Sequence, residues 1–322
     1  MMKSFRLAPI LLTLVCVGSV LWFVDISRSL ALLRTVDIVS VVSLAAVAIG
    51  SRVLRSLKWN LLLRSQGIRI STWYAIRLNW TGSFLAFWTP AGLGSDAYRV
   101  MALRAQRRTP AVISTLVIER YFGLLSVGLF WVLTVPLTFR YLWTASPEIT
   151  LLLSIVCGVC VLALSLLMVR SPYQRNNRGW RRHLTRLVDK LACYRNKRAL
   201  LLVFFLLTIV ELLSYIWINY LAAHAIGADV SLGFLVCAMP TVYLLLRLPI
   251  SIHGLGFQEG ALAYVLSVGG FNPAAGVAIS LLQRLIEVVC FILPGALLAP
   301  WNAALSPDDG TNAMGKSHFS KV

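Results

Sequence analysis

The sequence predicts an all-α, polytopic integral membrane protein: about six full spans and two re-entrant, broken helical hairpins arranged as an inverted repeat. Three observations predict this class. The 322 residues are 58% hydrophobic and only 13% charged, with a mean hydropathy of +0.79, which soluble domains rarely reach. Apolar runs long enough to cross a bilayer recur, with basic residues between them; a span needs about 20 such residues. Finally, one unusual stretch occurs twice. Thr89-Pro90-Ala91-Gly92-Leu93-Gly94-Ser95-Asp96 and Pro249-Ile250-Ser251-Ile252-His253-Gly254-Leu255-Gly256-Phe257-Gln258-Glu259 share a proline, a Gly-Leu-Gly and a carboxylate two or three residues on. Each lies in an apolar region, where a broken helix needs protein or water to satisfy its backbone.

The elements follow in order. Lys3 and Arg6 precede an apolar run from Leu7 to Val24; without a clear small-x-small cleavage site it reads as a retained first helix rather than a signal peptide. Asp25 to Asp37 reads as a short polar loop. A second span begins near Val36 and passes into a basic amphipathic stretch with Arg52, Arg55, Lys58 and Arg64 separated by leucines, the pattern of a helix at the membrane surface. Trp59, Trp73, Trp80 and Trp88 suit an interfacial belt. Residues 79–90 are too short to span and have basic residues on both sides, so they form the first re-entrant hairpin. Ala111–Pro136 is a span holding Glu119 and Arg120, Thr138–Glu148 a loop, and Ile149–Val169 a clean span. Residues 170–198 form a basic loop with ten Lys/Arg and one acid, Asp189, and Trp180 and Tyr194 there suit interfacial contact. Ala199–Ala223 is a span interrupted by Glu211, and His224–Val230 a short loop. Ser231–Pro249 enters the membrane, the second Gly-Leu-Gly breaks it, and Gly260–Gly269 turns back. Ala274–Ala299 is the last span. The membrane domain therefore covers 1–299, and the polar residues 300–322 read as a disordered cytoplasmic tail.

The net charge of +18 would suggest nucleic acid in a soluble chain. Here the basic residues fall between apolar runs, which points to an anionic membrane leaflet and excludes nucleic acid as the partner. With the N-terminus in the cytoplasm, 24 of the 30 Lys/Arg fall on the cytoplasmic side and three (Arg28, Arg34, Arg140) outside. The positive-inside rule then places both termini in the cytoplasm of a cell inner membrane. In that orientation the two broken elements enter from opposite faces, as the inverted repeats of transporters do. Five of the six cysteines lie in apolar runs. Cys157 and Cys160 have metal or redox spacing, but small residues on one helix face explain them as well. No Ser-His-Asp set, HExxH or P-loop is present, so the sequence predicts neither an enzyme nor a cofactor or metal site.

The candidate site residues come from the two copies. Arg120 and Arg284 follow the second glycine of each Gly-Leu-Gly by 26 and 28 residues. Each lies roughly 12 Å into its span, where an unpaired arginine is costly. Two readings stay open: an ion pair locking helices together, with Glu119, Glu211 or Glu287 as partner, or a cationic site for a phosphate, which guanidinium matches bidentately. Gly92, Gly94, Gly254 and Gly256 free a helix N-terminus in each copy, an anion-binding device, or simply supply the turn. Asp96 and Glu259 suit the helix dipole in the first turn. Asp96, Glu119, Glu211, Arg247 and Glu259 are the candidates for coupling or gating. His253, in the second break, has two readings, a group titrating near neutrality or a structural histidine, the commoner role of a lone one.

These residues resemble a known family. The Pro-x-Gly-x-Gly-x-Asp segment at Pro90–Asp96, the Glu119-Arg120 pair, the segment from Leu248 through Ser251 and Gly254 to Gly260, and the late Arg284 are similar to the lysylphosphatidylglycerol synthase transmembrane region family, also called flippase-like domain proteins. The likeness covers roughly residues 5–300. His253 stands where a glycine is usual, and Thr89 where a leucine is usual. The resemblance implies a lipid-translocating membrane domain without the cytosolic transferase that namesake members carry. The expected function is movement of an anionic phospholipid or a polyprenyl-phosphate-linked lipid across the cytoplasmic membrane. The alternative is a non-transporting scaffold for a membrane or cytosolic enzyme that modifies envelope lipid or glycan. The expected partners are membrane lipids through their anionic head groups.

Overall fold

A computed structural model describes residues 4–34, 36–89, 92–104, 109–145, 194, 197–246 and 251–304. Among these residues every regular element is helical: α1 (Ser4–Phe23), α2 (Ile26–Leu33), α3 (Ile38–Ser65), α4 (Thr72–Phe87), α5 (Leu93–Ala102), α6 (Thr109–Ala145), α7 (Arg198–Ala225), α8 (Leu232–Leu246), α9 (Phe257–Val268), α10 (Pro273–Glu287), a π-helical turn (Val288–Ile292) and α11 (Leu293–Ala304).

Ordinary caps start most of them. Asp25 accepts from the Arg28 amide at the head of α2, and Asp37 from the Val39 and Ser40 amides at the head of α3. Bonds from Ser40 and these amides hold the exposed Asp37 carboxyl below its ordinary value. Ser71 caps α4, and Asn272, followed by Pro273 in the first turn, caps α10; these are standard N-cap choices.

Among the described residues, four helices are long and apolar enough to cross a membrane: Ile38–Ser65, Thr109–Thr134, Arg198–Ala225 and Pro273–Ala299. Thr13–Phe23 and Ile26–Leu33, bent by 86°, make a fifth if counted as one broken span. The expected span at Ile149–Val169, Cys157, Cys160 and the basic loop up to Cys193 lie outside the described residues, as do Pro90, Arg247, Pro249 and the tail beyond Ala304.

Five sequence expectations are corrected. The supposed loop after Asp25 is the helix α2. Its buried Ser29 Oγ donates to the Ala274 carbonyl at 3.1 Å, seating α2 on the head of α10. The supposed loop from Thr138 is helical to Ala145, because α6 continues unbroken. The basic stretch of α3 does not lie on a surface: α3 is one 28-residue helix, and Lys58 is 1% exposed. Trp59, expected in the interfacial belt, is fully buried and donates to Thr115 Oγ1 at 3.1 Å. Tyr194 is buried as well, packed with Phe122 and Phe204. Trp73 and Trp88 are exposed.

Polarity is inverted relative to a soluble protein. Leu202, Leu206, Val210 and Leu213 on α7 are exposed, as are Leu285, Val289, Leu293 and Leu297 along α10 and α11. Spacings of three and four put each set on one helix face, and such a face has lipid as its natural neighbour.

Two hairpins carry the interior. α4 turns back into α5. A Cβ on Gly94 would lie 2.4 Å from the Leu85 carbonyl, and one on Gly82 would lie 3.4 Å from Ser95 Cβ, so small residues set this close packing. α8 turns back into α9 through the second break. The first hairpin shares a core with α3 and α6 around Trp59, Leu63, Leu78 and Val112. The second sits in a larger core with α3, α7 and α10 around Leu44, Ala222, Leu262 and Ala278. α11 locks onto α4: Trp80 Nε1 donates to the Cys290 carbonyl in the π-helical turn at 3.0 Å.

Candidate functional site: a charged cavity between the two hairpins

The sequence places Arg52, Arg55 and Lys58 three residues apart, which puts them on one face of α3. That face turns inward. A cavity of about 450 Å³ opens there, with α4–α5, α6, α7 and α10 and the second break as its other walls. The volume falls in the range of small-molecule and head-group sites. Among the described residues, six basic side chains line it, Arg52, Arg55, Lys58, Arg99, Arg120 and Arg284, with four carboxylates, Asp96, Glu119, Glu211 and Glu287.

The charges form a ladder. Lys58 Nζ lies 2.5 Å from Glu211 Oε2 and Arg55 Nε 2.8 Å from Glu211 Oε1. Arg55 also comes within 3.9 Å of Glu119 Oε1, and Arg99 Nη1 donates to Glu119 Oε2 at 3.0 Å. Arg99 also donates to Asn79 Oδ1 and stands over the Trp59 ring, 4.9 Å from its centroid. Lys58 donates to Thr208 Oγ1 at 3.0 Å and lies over the Phe204 ring. A buried cation needs a partner to offset its desolvation, and these bonds supply it.

The two repeat arginines pair within their own copies. Arg120 Nε and Nη2 donate to Asp96 Oδ2 at 2.9 and 2.5 Å. Arg284 Nε donates to Glu259 Oε1 at 2.9 Å, with Nη2 at 2.8 Å from the same oxygen. The partners found are thus Asp96 and Glu259, where the sequence had suggested glutamates such as Glu119, Glu211 or Glu287. Asp96 and Glu259 stand in the first turns of α5 and α9, where the helix dipole also favours them. The two pairs differ in access. The Arg120 side chain is 39% exposed, the Arg284 side chain 13%.

Of the sequence-predicted site residues, Arg120, Arg284, Gly92, Gly254, Asp96, Glu119 and Glu211 line the cavity. Glu259 is buried behind Arg284. Gly94 and Gly256 do structural work instead. Gly94 packs on α4, and a Cβ on Gly256 would lie 2.4 Å from the Val17 nitrogen of α1. Gly92 (φ 68°) and Gly256 (φ 74°) cap α5 and α9 in backbone conformations that favour glycine.

Sequence reasoning missed Arg52, Arg55, Lys58 and Arg99 as site residues and saw Glu287 only as a counterion. The three-residue spacing of cations in an apolar run was the available signal. Arg52 Nη2 lies 3.5 Å from Glu287 Oε1, and His253 Nε2 lies 3.1 Å from Glu287 Oε2. The π-helical turn begins directly after Glu287; such turns often mark functional sites.

The arrangement offers guanidinium and ammonium groups to an anion inside an apolar shell, with carboxylates holding them in place. Comparison with known proteins agrees with a membrane-lipid setting. The family model described as lysylphosphatidylglycerol synthase TM region matches residues 7–295. No curated protein and no solved structure matches the chain. With a match over nearly its whole length, the chain belongs to the lysylphosphatidylglycerol synthase TM region family.

Proposed function

We infer that the protein moves an anionic lipid, a phospholipid or a polyprenyl-phosphate-linked lipid, across the cytoplasmic membrane, its head group passing through the charged cavity. The observation that carries this reading is the cavity itself: six cations against four lining carboxylates, between helices whose outer faces are apolar. The acyl chains stay in lipid, and only the head group needs the cations. The two hairpins act as an inverted repeat and dip in from opposite faces, and the matched pairs Asp96–Arg120 and Glu259–Arg284 are what such a repeat predicts. Both termini lie in the cytoplasm of the inner membrane. Taking Arg52, Arg55, Lys58 and Arg99 out of the cytoplasmic tally leaves the excess of basic residues on that side.

The test is lipid movement in reconstituted vesicles. Vesicles carrying a fluorescent phosphatidylglycerol are treated with an impermeant quencher, and the rate at which inner-leaflet lipid becomes quenchable is measured. Wild-type protein should speed that rate. Arg120→Gln should slow it at least about tenfold, the scale of one lost charge-assisted contact. It should still fold, since Asp96 is left partly hydrated at a helix N-terminus. A wild type that moves no lipid would favour a scaffold that docks an envelope enzyme.

A further inference from the structure

One cation of the cavity is held differently from the rest. Arg55, Lys58, Arg99, Arg120 and Arg284 each have a carboxylate oxygen within 3.0 Å. Arg52 reaches its carboxylate at 3.5 Å, and that carboxylate is shared: Glu287 gives Oε1 to Arg52 and Oε2 to His253. Phe291, from the π-helical turn, covers the Arg52 guanidinium at 4.4 Å. A cation–π contact keeps the charge in place while leaving the N–H edge for an anion.

His253 is built into the second break. It is the one non-glycine residue with positive φ (50°) among the described residues, a conformation that histidine adopts more readily than most side chains. Arg284 Nη1 donates to its carbonyl at 3.4 Å, and the Phe87 ring from α4 lies 5.2 Å from its own. Among the described residues, the charged groups around the ring are Glu287 and Arg284 from α10, Glu259 from α9 behind Arg284 and, through Glu287, Arg52 from α3. α7 brings Tyr215 to the same wall and α9 the neutral Gln258.

We propose that Arg52 is the phosphodiester-binding cation of this cavity, and that His253, through the shared Glu287 carboxylate, makes its affinity rise as pH falls. The proposal rests on the lipid reading for the source of the anion but not for the site. A neutral His253 leaves Glu287 fully negative beside Arg52, where it competes with an incoming phosphate. A protonated His253 forms a full ion pair with Glu287 and releases Arg52 to the ligand. By linkage, binding the anion must then take up a proton at neutral pH.

The test is titration calorimetry on the full-length protein in phosphatidylcholine nanodiscs. The probes are two phosphodiesters of constant charge over this pH range, the water-soluble dihexanoyl phosphatidylglycerol and, in parallel, its deacylated head group glycerophosphoglycerol. Wild type should bind about tenfold more tightly at about pH 5.5 than at about pH 8, within the usual span of coupling between sites. His253→Asn, which tolerates the positive φ, should hold affinity at the high-pH level throughout. Glu287→Gln should hold it at the low-pH level throughout. Arg52→Gln should weaken binding at least about tenfold at both pH values, with thermal unfolding showing that it still folds, and Arg52→Lys should recover part of the loss. A His253→Asn protein that keeps the wild-type pH slope, or an Arg52→Gln protein that binds like wild type, overturns the proposal. The full pattern with glycerophosphoglycerol alone upholds the site and overturns its assignment to lipid. The pattern with the lipid probe supports both. Binding of neither probe overturns the site, and lipid movement in vesicles then judges the transport reading independently.

Discussion

Glu211 holds two of the cavity's six cations. It accepts from both Lys58 and Arg55, and Lys58 has no solvent to fall back on. Removing one partner of a buried pair costs about 3–5 kcal/mol, because the other charge is left without compensation. Glu211→Ala strands the buried Lys58 and leaves Arg55 only its longer contact with Glu119, so it should cost about that much and lower the unfolding midpoint by several degrees. Lys58→Met removes one cation and leaves Glu211 with Arg55, so it should cost clearly less. Thermal unfolding in detergent, followed by circular dichroism, ranks the two; the opposite order would mean the ladder is not what holds α3 to α7. At this scale the sequence was partly legible. Arg120 and Arg284 stood out as charges too deep to be unpaired, and both are in the cavity. Their partners were not legible, because partner choice depends on how each hairpin folds back: Asp96 meets Arg120 only once α5 has turned against α6. Arg52, Arg55 and Lys58 were misplaced for a different reason. Periodicity tells which side chains share a helix face, and the same period serves a face on a head-group layer and one on an inner cavity.

At the scale of elements, the α4–α5 hairpin is closely packed, and its glycines are the reason. The Gly82 position sits so close to Ser95 that a Cβ there would be 3.4 Å from Ser95 Cβ, near the roughly 3.5–4.5 Å range of disulfides. A Gly82→Cys/Ser95→Cys protein without its native cysteines should therefore cross-link under mild oxidation, seen as loss of free thiol. If the repeats rock as bodies around the cavity, a bond within one hairpin should leave lipid movement near the wild-type rate. A cross-linked protein that stalls would show instead that α4 and α5 slide on each other during transport. Gly94→Ala, by contrast, drives a methyl into the Leu85 backbone carbonyl and should destabilise the hairpin outright. The broken hairpins were legible because glycine and proline are conspicuous in apolar sequence. The helix α2 was not: its serines and arginine look like loop, and what makes it helical is the Asp25 cap and its seat on α10.

For the whole molecule, the decisive property is which end faces which compartment. α3 offers a clean measure, because its 28 residues rise about 42 Å, enough to cross the hydrocarbon layer. Arg28 lies in α2, before α3 begins, and Arg64 lies in its last turn. Both positions are exposed. If the excess of basic residues sets the orientation, Arg28 faces outward and Arg64 the cytoplasm. In a protein lacking its native cysteines, Arg28→Cys should react with an impermeant maleimide on intact cells. Arg64→Cys should react only after the membrane is opened. Val210→Cys, on the exposed apolar stripe of α7, should stay poorly reactive in both states, because lipid keeps its thiol protonated and the reagent away. Labelling of both Arg28→Cys and Arg64→Cys from one side would show that α3 does not cross the bilayer. The cavity walls would then have to face the membrane in a different way, and a head-group path through them would lose its physical basis.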